Sequence, residues 1–86
     1  MDKFRKKIDR IDEQLVKLID ERMELAFELG KLKKEQGRGV LDGDREKEVF
    51  EKLKTLPKQT VRDDEIETLY KKIIQISRLH GERGMH

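Results

Sequence analysis

Through the first third of the chain, apolar residues recur at intervals of four and three. They are Phe4, Ile8, Ile11, Leu15, Leu18, Leu25, Leu29 and Leu32, with Arg22 in the one remaining seam position. This is the spacing of a helix that packs along its whole length against other helices. Val16, Ile19, Met23 and Ala26 widen the stripe, as in a bundle rather than a narrow two-stranded seam. The pattern predicts one helix over residues 3–35, interrupted by no Pro and by no Gly before Gly30. Such a helix is about 50 Å long at about 1.5 Å per residue. A compact domain of this size has a radius of gyration of about 12 Å. The helix therefore overhangs its own domain, and its stripe calls for cover from a second chain, which makes an intertwined homodimer the expected assembly.

Gly37, Gly39 and Gly43 break the pattern. Asp44 is placed to cap a shorter helix over 44–56, with Val49, Phe50 and Leu53 on its inner face and Pro57 as the stop. Asp64 and Glu67 have the spacing of a capping box and open a third helix over 64–80. Its inner face carries Ile66, Leu69, Tyr70, Ile73 and Ile74, continued by Ser77 and His80, and Gly81 reads as its end. The tail 81–86 has no core signal and is expected to fray. No alternating strand pattern and no internal repeat occurs. The expected fold is all-α, a single domain of long, short and medium helices.

Composition narrows the function classes. Charged residues make up 47% of the 86, yet 21 Lys and Arg against 19 Asp and Glu leave a net charge of only +2. That balance speaks against a nucleic-acid binder, which carries a marked basic excess. Interspersed signs and periodic apolar residues speak against a disordered tail. With no Cys and two His, thiol chemistry is excluded and a zinc site is not expected. No run approaches the roughly 20 apolar residues of a membrane span, and no signal-peptide pattern opens the chain, so a soluble cytoplasmic protein is expected.

Polar residues in apolar positions carry the chemical information, because a charge in a seam is costly unless partnered. Arg22 occupies a seam position outright. Lys33, eleven residues on, returns to nearly the same side of the helix at about 100° per residue. Ser77 interrupts the inner stripe of the third helix, and Arg45 and Glu46 open the second directly after the glycine-punctuated loop. Each has a plain structural reading as well. Arg22 could pair with a Glu across the seam, Lys33 could complement a helix end, Ser77 could bond back to its own helix, and Arg45 and Glu46 could be an ordinary first turn. Together they form a cation-rich set without a nucleophile–base pair or phosphate cradle. Such a set suits a small carboxylate ligand, which Arg binds through two parallel hydrogen bonds.

The order of these residues is familiar. The run Arg5-Lys6-Lys7-Ile8-Asp9-Arg10-Ile11-Asp12-Glu13-Gln14-Leu15, then Leu18 to Arg22, then Ala26 to Lys33, resembles the first helix of the all-α dimeric chorismate mutases. Val40-Leu41-Asp42-Gly43-Asp44-Arg45-Glu46 resembles that family's loop and second-helix start, and Ile73-Ile74-Gln75-Ile76-Ser77 the inner part of its third helix. The similarity spans about residues 4–80. It implies a dimer of three-helix chains whose long helices contribute to both active sites. It also implies the conversion of chorismate to prephenate, an intramolecular Claisen rearrangement on the way to phenylalanine and tyrosine, with no cofactor and no metal. Positioning and electrostatic preorganisation suffice for such a step.

Carried over by resemblance, Arg22 binds a substrate carboxylate in its own chain's site and Arg5 reaches into the partner's. Lys33 donates to the breaking ether oxygen, Asp42 (through its backbone) and Glu46 hold the ring hydroxyl, and Arg45 and Ser77 complete the wall. One position departs. Four residues after the match to Ser77 the family carries a Gln or Glu as second donor to the ether oxygen, and this chain has Gly81. His80, on the same face, and Glu82 are the candidate substitutes. The alternatives are an isochorismate pyruvate-lyase-like enzyme on the same fold, or a weakly active or non-catalytic helical dimerisation or regulatory module.

Overall fold

In the computed structural model the chain forms three helices, α1 (Asp2–Glu35), α2 (Gly43–Thr55) and α3 (Asp63–Gly84). The structure describes residues 1–39 and 42–86, and among them there is no strand. α1 ends where Gly37 takes φ +70°, a conformation a side chain disfavours. The Arg38 N–H then bonds back to the Lys33 carbonyl at 2.7 Å and the Gly37 N–H to that of Lys34 at 3.0 Å. This pair closes the carbonyl end of the helix as a Schellman motif, and Lys33 and Lys34 in the last turn complement its dipole.

The caps of the other helices sit two residues earlier than the sequence pattern predicts. The N-cap of α2 is Asp42, whose carboxylate accepts from the Arg45 N–H at 3.0 Å, so Asp44 lies inside the first turn. At α3 the Glu65 carboxylate accepts from the Arg62 N–H at 2.9 Å. The reciprocal spacing is the expected one, but it belongs to Arg62 and Glu65 rather than to Asp64 and Glu67. Asp64 instead takes the Arg62 guanidinium, which holds its carboxyl below the usual range.

The third helix does not stop at Gly81, and the expected frayed tail is corrected with it. Gly81 and Gly84 are both buried within α3. Neither takes the left-handed conformation that a glycine helix end uses, for among the described residues only Gly37 has a positive φ. The reason is a close approach to α1. A Cβ on Gly30 would stand 2.8 Å from the Gly81 carbonyl carbon, and one on Gly84 would stand 2.9 Å from that of Phe27. Glycine inside a helix costs roughly 0.5–1 kcal/mol in backbone entropy. Here it lets two backbones pack where a side chain would keep them apart.

α3 packs along the C-terminal half of α1, and α2 packs against α3. Among the described residues the buried apolar side chains are Met23, Leu53 and Ile74, one from each helix. The N-terminal half of α1 projects beyond this packing, giving an envelope of 52 × 24 × 16 Å and a radius of gyration of 15.5 Å. On the projecting part the seam is open to solvent, with Phe4 69% exposed and Leu15 50%.

Candidate functional site

Where α1, α2 and α3 meet, they enclose a cleft of about 280 Å³. Its floor is apolar, from Leu25, Leu29, Val49 and Ile74, and its polar rim is Arg22, Lys33, Asp42, Arg45, Glu46, Ser77 and Arg78, with Gly81 at one side. The separate stretches of sequence that carry misplaced polar residues are thus joined at one place. Helical periodicity explains it: Arg22, Ala26, Gly30 and Lys33 share one face of α1, and Ser77 and Gly81 are one turn apart on α3.

Arg22 is half-buried, and its guanidinium donates to the Ser77 hydroxyl while standing 5.8 Å from the centre of the Tyr70 ring. A hydroxyl and a ring face hold it, not a seam carboxylate, so the charge remains available to an anion. Ser77 in turn donates to the Ile73 carbonyl at 2.9 Å, which fixes its oxygen as acceptor for Arg22. Asp42 is occupied as the cap of α2, and its carbonyl accepts from the Glu46 N–H at 3.0 Å, leaving a second lone pair. The exposed Arg45 guanidinium lies 3.4 Å from Glu48 at the mouth of the cleft. Arg22, Lys33, Arg45 and Arg78 outnumber Asp42 and Glu46 and leave the rim positive.

Arg78 is the residue that sequence reasoning passes over. Its Nε donates to Glu46 Oε2 at 2.8 Å and its second terminal nitrogen to Oε1, a two-point ion pair from α3 to α2. The hydrogen bonds to Glu46 raise the guanidinium pKa further above its ordinary value. A signal is present in the sequence: Arg78 directly follows Ser77, and Glu46 is a carboxylate without an assigned partner. It is easily missed because Arg78 lies off the apolar stripe, where a charge reads as solvated.

Three candidates, Arg5, His80 and the exposed Glu82, are not brought to this cleft. Arg5 is exposed on the projecting part of α1, seventeen residues or about 25 Å along the axis from Arg22. His80 lines a separate, wider depression of about 460 Å³ with Met23, Phe27, Asp20, Glu24 and Glu28. Three residues along a helix turn about 300°, four about 400°, so Gly81 keeps company with Ser77 while His80 swings aside. The second depression offers an anion three carboxylates and is electrostatically unsuited to one. The Val40–Leu41 part of the stretch resembling the family loop lies outside the described residues.

The profile of the Chorismate mutase type II family matches residues 4–82. The chain belongs to that family. As a chorismate mutase type II chain it is 38% identical over 63 residues to a chorismate mutase of Methanocaldococcus jannaschii, covering 73% of this chain and 64% of that protein. It is 49% identical over 55 residues, 64% of this chain, to the bifunctional chorismate mutase/prephenate dehydratase of Escherichia coli, and it spans 14% of that protein's length. Among solved structures, a chorismate mutase of Thermus thermophilus superimposes with a TM-score of 0.89 at 32% identity, covering 93% of this chain and 91% of that one. The Helicobacter pylori chorismate mutase, solved in complex with prephenate, gives a TM-score of 0.89 at 25% identity, covering 98% and 91%. The three-helix arrangement is therefore that of the family.

Proposed function

We propose that this chain converts chorismate to prephenate. The observation that carries the reading is the cleft itself: Arg22, Lys33, Arg45 and Arg78 ring an apolar floor, with one hydroxyl and two carboxylates but, among the described residues, no Ser–His or Cys–His pair. The substrate is a flexible dicarboxylate, and the reaction breaks one C–O bond while forming one C–C bond within the same molecule. No atom enters or leaves, and no proton has to be moved by the protein. What the protein supplies is a compact conformer and a field that favours negative charge on the ether oxygen as the bond breaks.

In this reading Arg22, held by Ser77 and Tyr70, binds one carboxylate, and Arg45 and Ser77 complete that wall. Lys33 donates to the ether oxygen and an adjacent carboxylate. Glu46 and the Asp42 backbone hold the ring hydroxyl. Gly81 brings no donor to the place where the family carries Gln or Glu, and His80, turned into the other depression, takes no part. The exposed stripe on α1 supports a homodimer in which Arg5 of the partner subunit completes each site. The reaction needs no cofactor.

The test is direct. Purified chain supplied with chorismate is expected to consume it and yield prephenate, an isomer of the same mass, identified by its chromatographic separation from chorismate and by its acid conversion to phenylpyruvate. Salicylate and pyruvate from isochorismate, without prephenate from chorismate, would assign a lyase instead. Absence of turnover with either would make the chain a non-catalytic module.

A further inference from the structure

The first turn of α2 is weakly held by apolar packing. Gly43, Asp44 and Arg45 are exposed, and the buried side chain of this helix, Leu53, lies at its other end. Asp42 caps the turn, but from within the same segment. Among the described residues, the ion pair that ties α2 to another helix is that of Glu46 with Arg78 of α3. Exposed ion pairs contribute little to stability as a rule. This one has the geometry that makes an exception, a planar fork on both carboxylate oxygens. It is also partly withdrawn from water, with Glu46 only 21% exposed.

We propose that Arg78 is a positioning residue, which holds the α2 end of the cleft in place and aims the Glu46 carboxylate at the substrate's hydroxyl. The proposal rests on the reading of the cleft as the mutase site. Each carboxylate oxygen has two lone pairs, and the fork takes one from each, so Glu46 keeps an acceptor for the ligand. Arg78 has a second effect. An uncompensated carboxylate in the cleft would repel a dicarboxylate substrate, and the guanidinium cancels that charge at contact distance. The two effects separate on substitution. Lysine preserves the charge but loses the fork, whereas methionine loses both.

Arg78→Lys is expected to lower kcat about tenfold with KM within about twofold of the parent, and Arg78→Met to lower kcat/KM about a hundredfold with KM raised. Because Arg78 acts through Glu46, Arg78→Met placed on Glu46→Gln should change kcat/KM by less than about threefold. The structural half is read without substrate. By hydrogen exchange, the amides of Glu46 to Phe50 should exchange at least about tenfold faster in Arg78→Met, while those around Gly30 and Gly81 keep the parent's protection. Unchanged exchange in α2 overturns the proposal whether or not the parent turns chorismate over. With an active parent, it is also overturned by an equal loss in the parent and Glu46→Gln backgrounds, or by Arg78→Met activity within about twofold of the parent. A parent that makes no prephenate counts against the functional reading alone, and α2 exchange then decides for or against the positioning of this helix.

Discussion

Gly81 has two neighbours that pull its interpretation in different directions. Towards the cleft it is an absence, the place where a second donor to the ether oxygen is missing. Towards α1 it is a contact, its backbone lying against Gly30. If the family's donor position faces the ether oxygen here as well, Gly81→Gln should raise kcat on the order of tenfold or more, with KM little changed, because a donor used only in the transition state acts on the chemical step. His80→Ala should leave kcat within about twofold, since its ring lines the other depression. A large loss with His80→Ala would return that residue to the cleft. The contact side has its own test. Gly30→Ala forces the helices apart and is expected to destabilise by about 1–3 kcal/mol, measured by denaturant unfolding. Stability equal to the parent would show that the crossing relaxes freely. The seam position of Arg22 and the interruption at Ser77 were legible in the sequence. The tie between them was not, because they are 55 residues apart and only the α1–α3 packing joins them.

The helices themselves were legible because apolar spacing carries through tertiary contacts, but their ends were set by local hydrogen bonds the pattern does not encode. Asp42 and Asp44 are equally good caps by composition. The chain uses Asp42 because its carboxylate reaches the Arg45 N–H. At the far end of α2, Lys58 is only 12% exposed and donates to the Leu53 and Leu56 carbonyls at 2.8 and 2.7 Å. It also pairs with Asp63 at 2.7 Å, where the first turn of α3 begins. One ammonium therefore satisfies the loose carbonyls at the end of α2 and ties them to the acidic first turn of α3. Lys58→Met keeps the length of the stem and removes all three bonds. It is expected to cost about 1–3 kcal/mol, read as a lowered unfolding midpoint, and a value under about 0.5 kcal/mol would count the contacts as incidental.

At the scale of the molecule, the decisive fact is the mismatch between α1 and everything that packs on it. Among the described residues Met23, Leu53 and Ile74 are a small buried core, while Phe4, Ile8, Ile11, Leu15 and Leu18 stand half to two-thirds exposed. Burial of that stripe by a second copy would stabilise the fold and bring Arg5 of the partner subunit near the cleft. Sedimentation is expected to give a dimer at micromolar concentration, and a stable helical monomer there would rule the assembly out. Subunit exchange between Arg5→Ala and Arg22→Ala chains should place both lesions in one site of each heterodimer and leave the other intact. Activity should then recover towards half that of the parent, and verified exchange without recovery would place Arg5 outside the site.

The sequence by itself determined the number, order and approximate lengths of the helices, the overhang of the first, and the cationic character of the site. Those properties follow from periodicity and from the energetic oddity of charge in a seam, both of which are written residue by residue. Only the tertiary structure decided which cations share a cleft, that His80 turns away from it, that Arg78 grips Glu46, and that α3 continues through Gly81 to Gly84. Each of these depends on a rotation of about 100° per residue combined with how closely two helices approach. A glycine that would end a free helix becomes, under a close crossing, the residue that lets the helix continue.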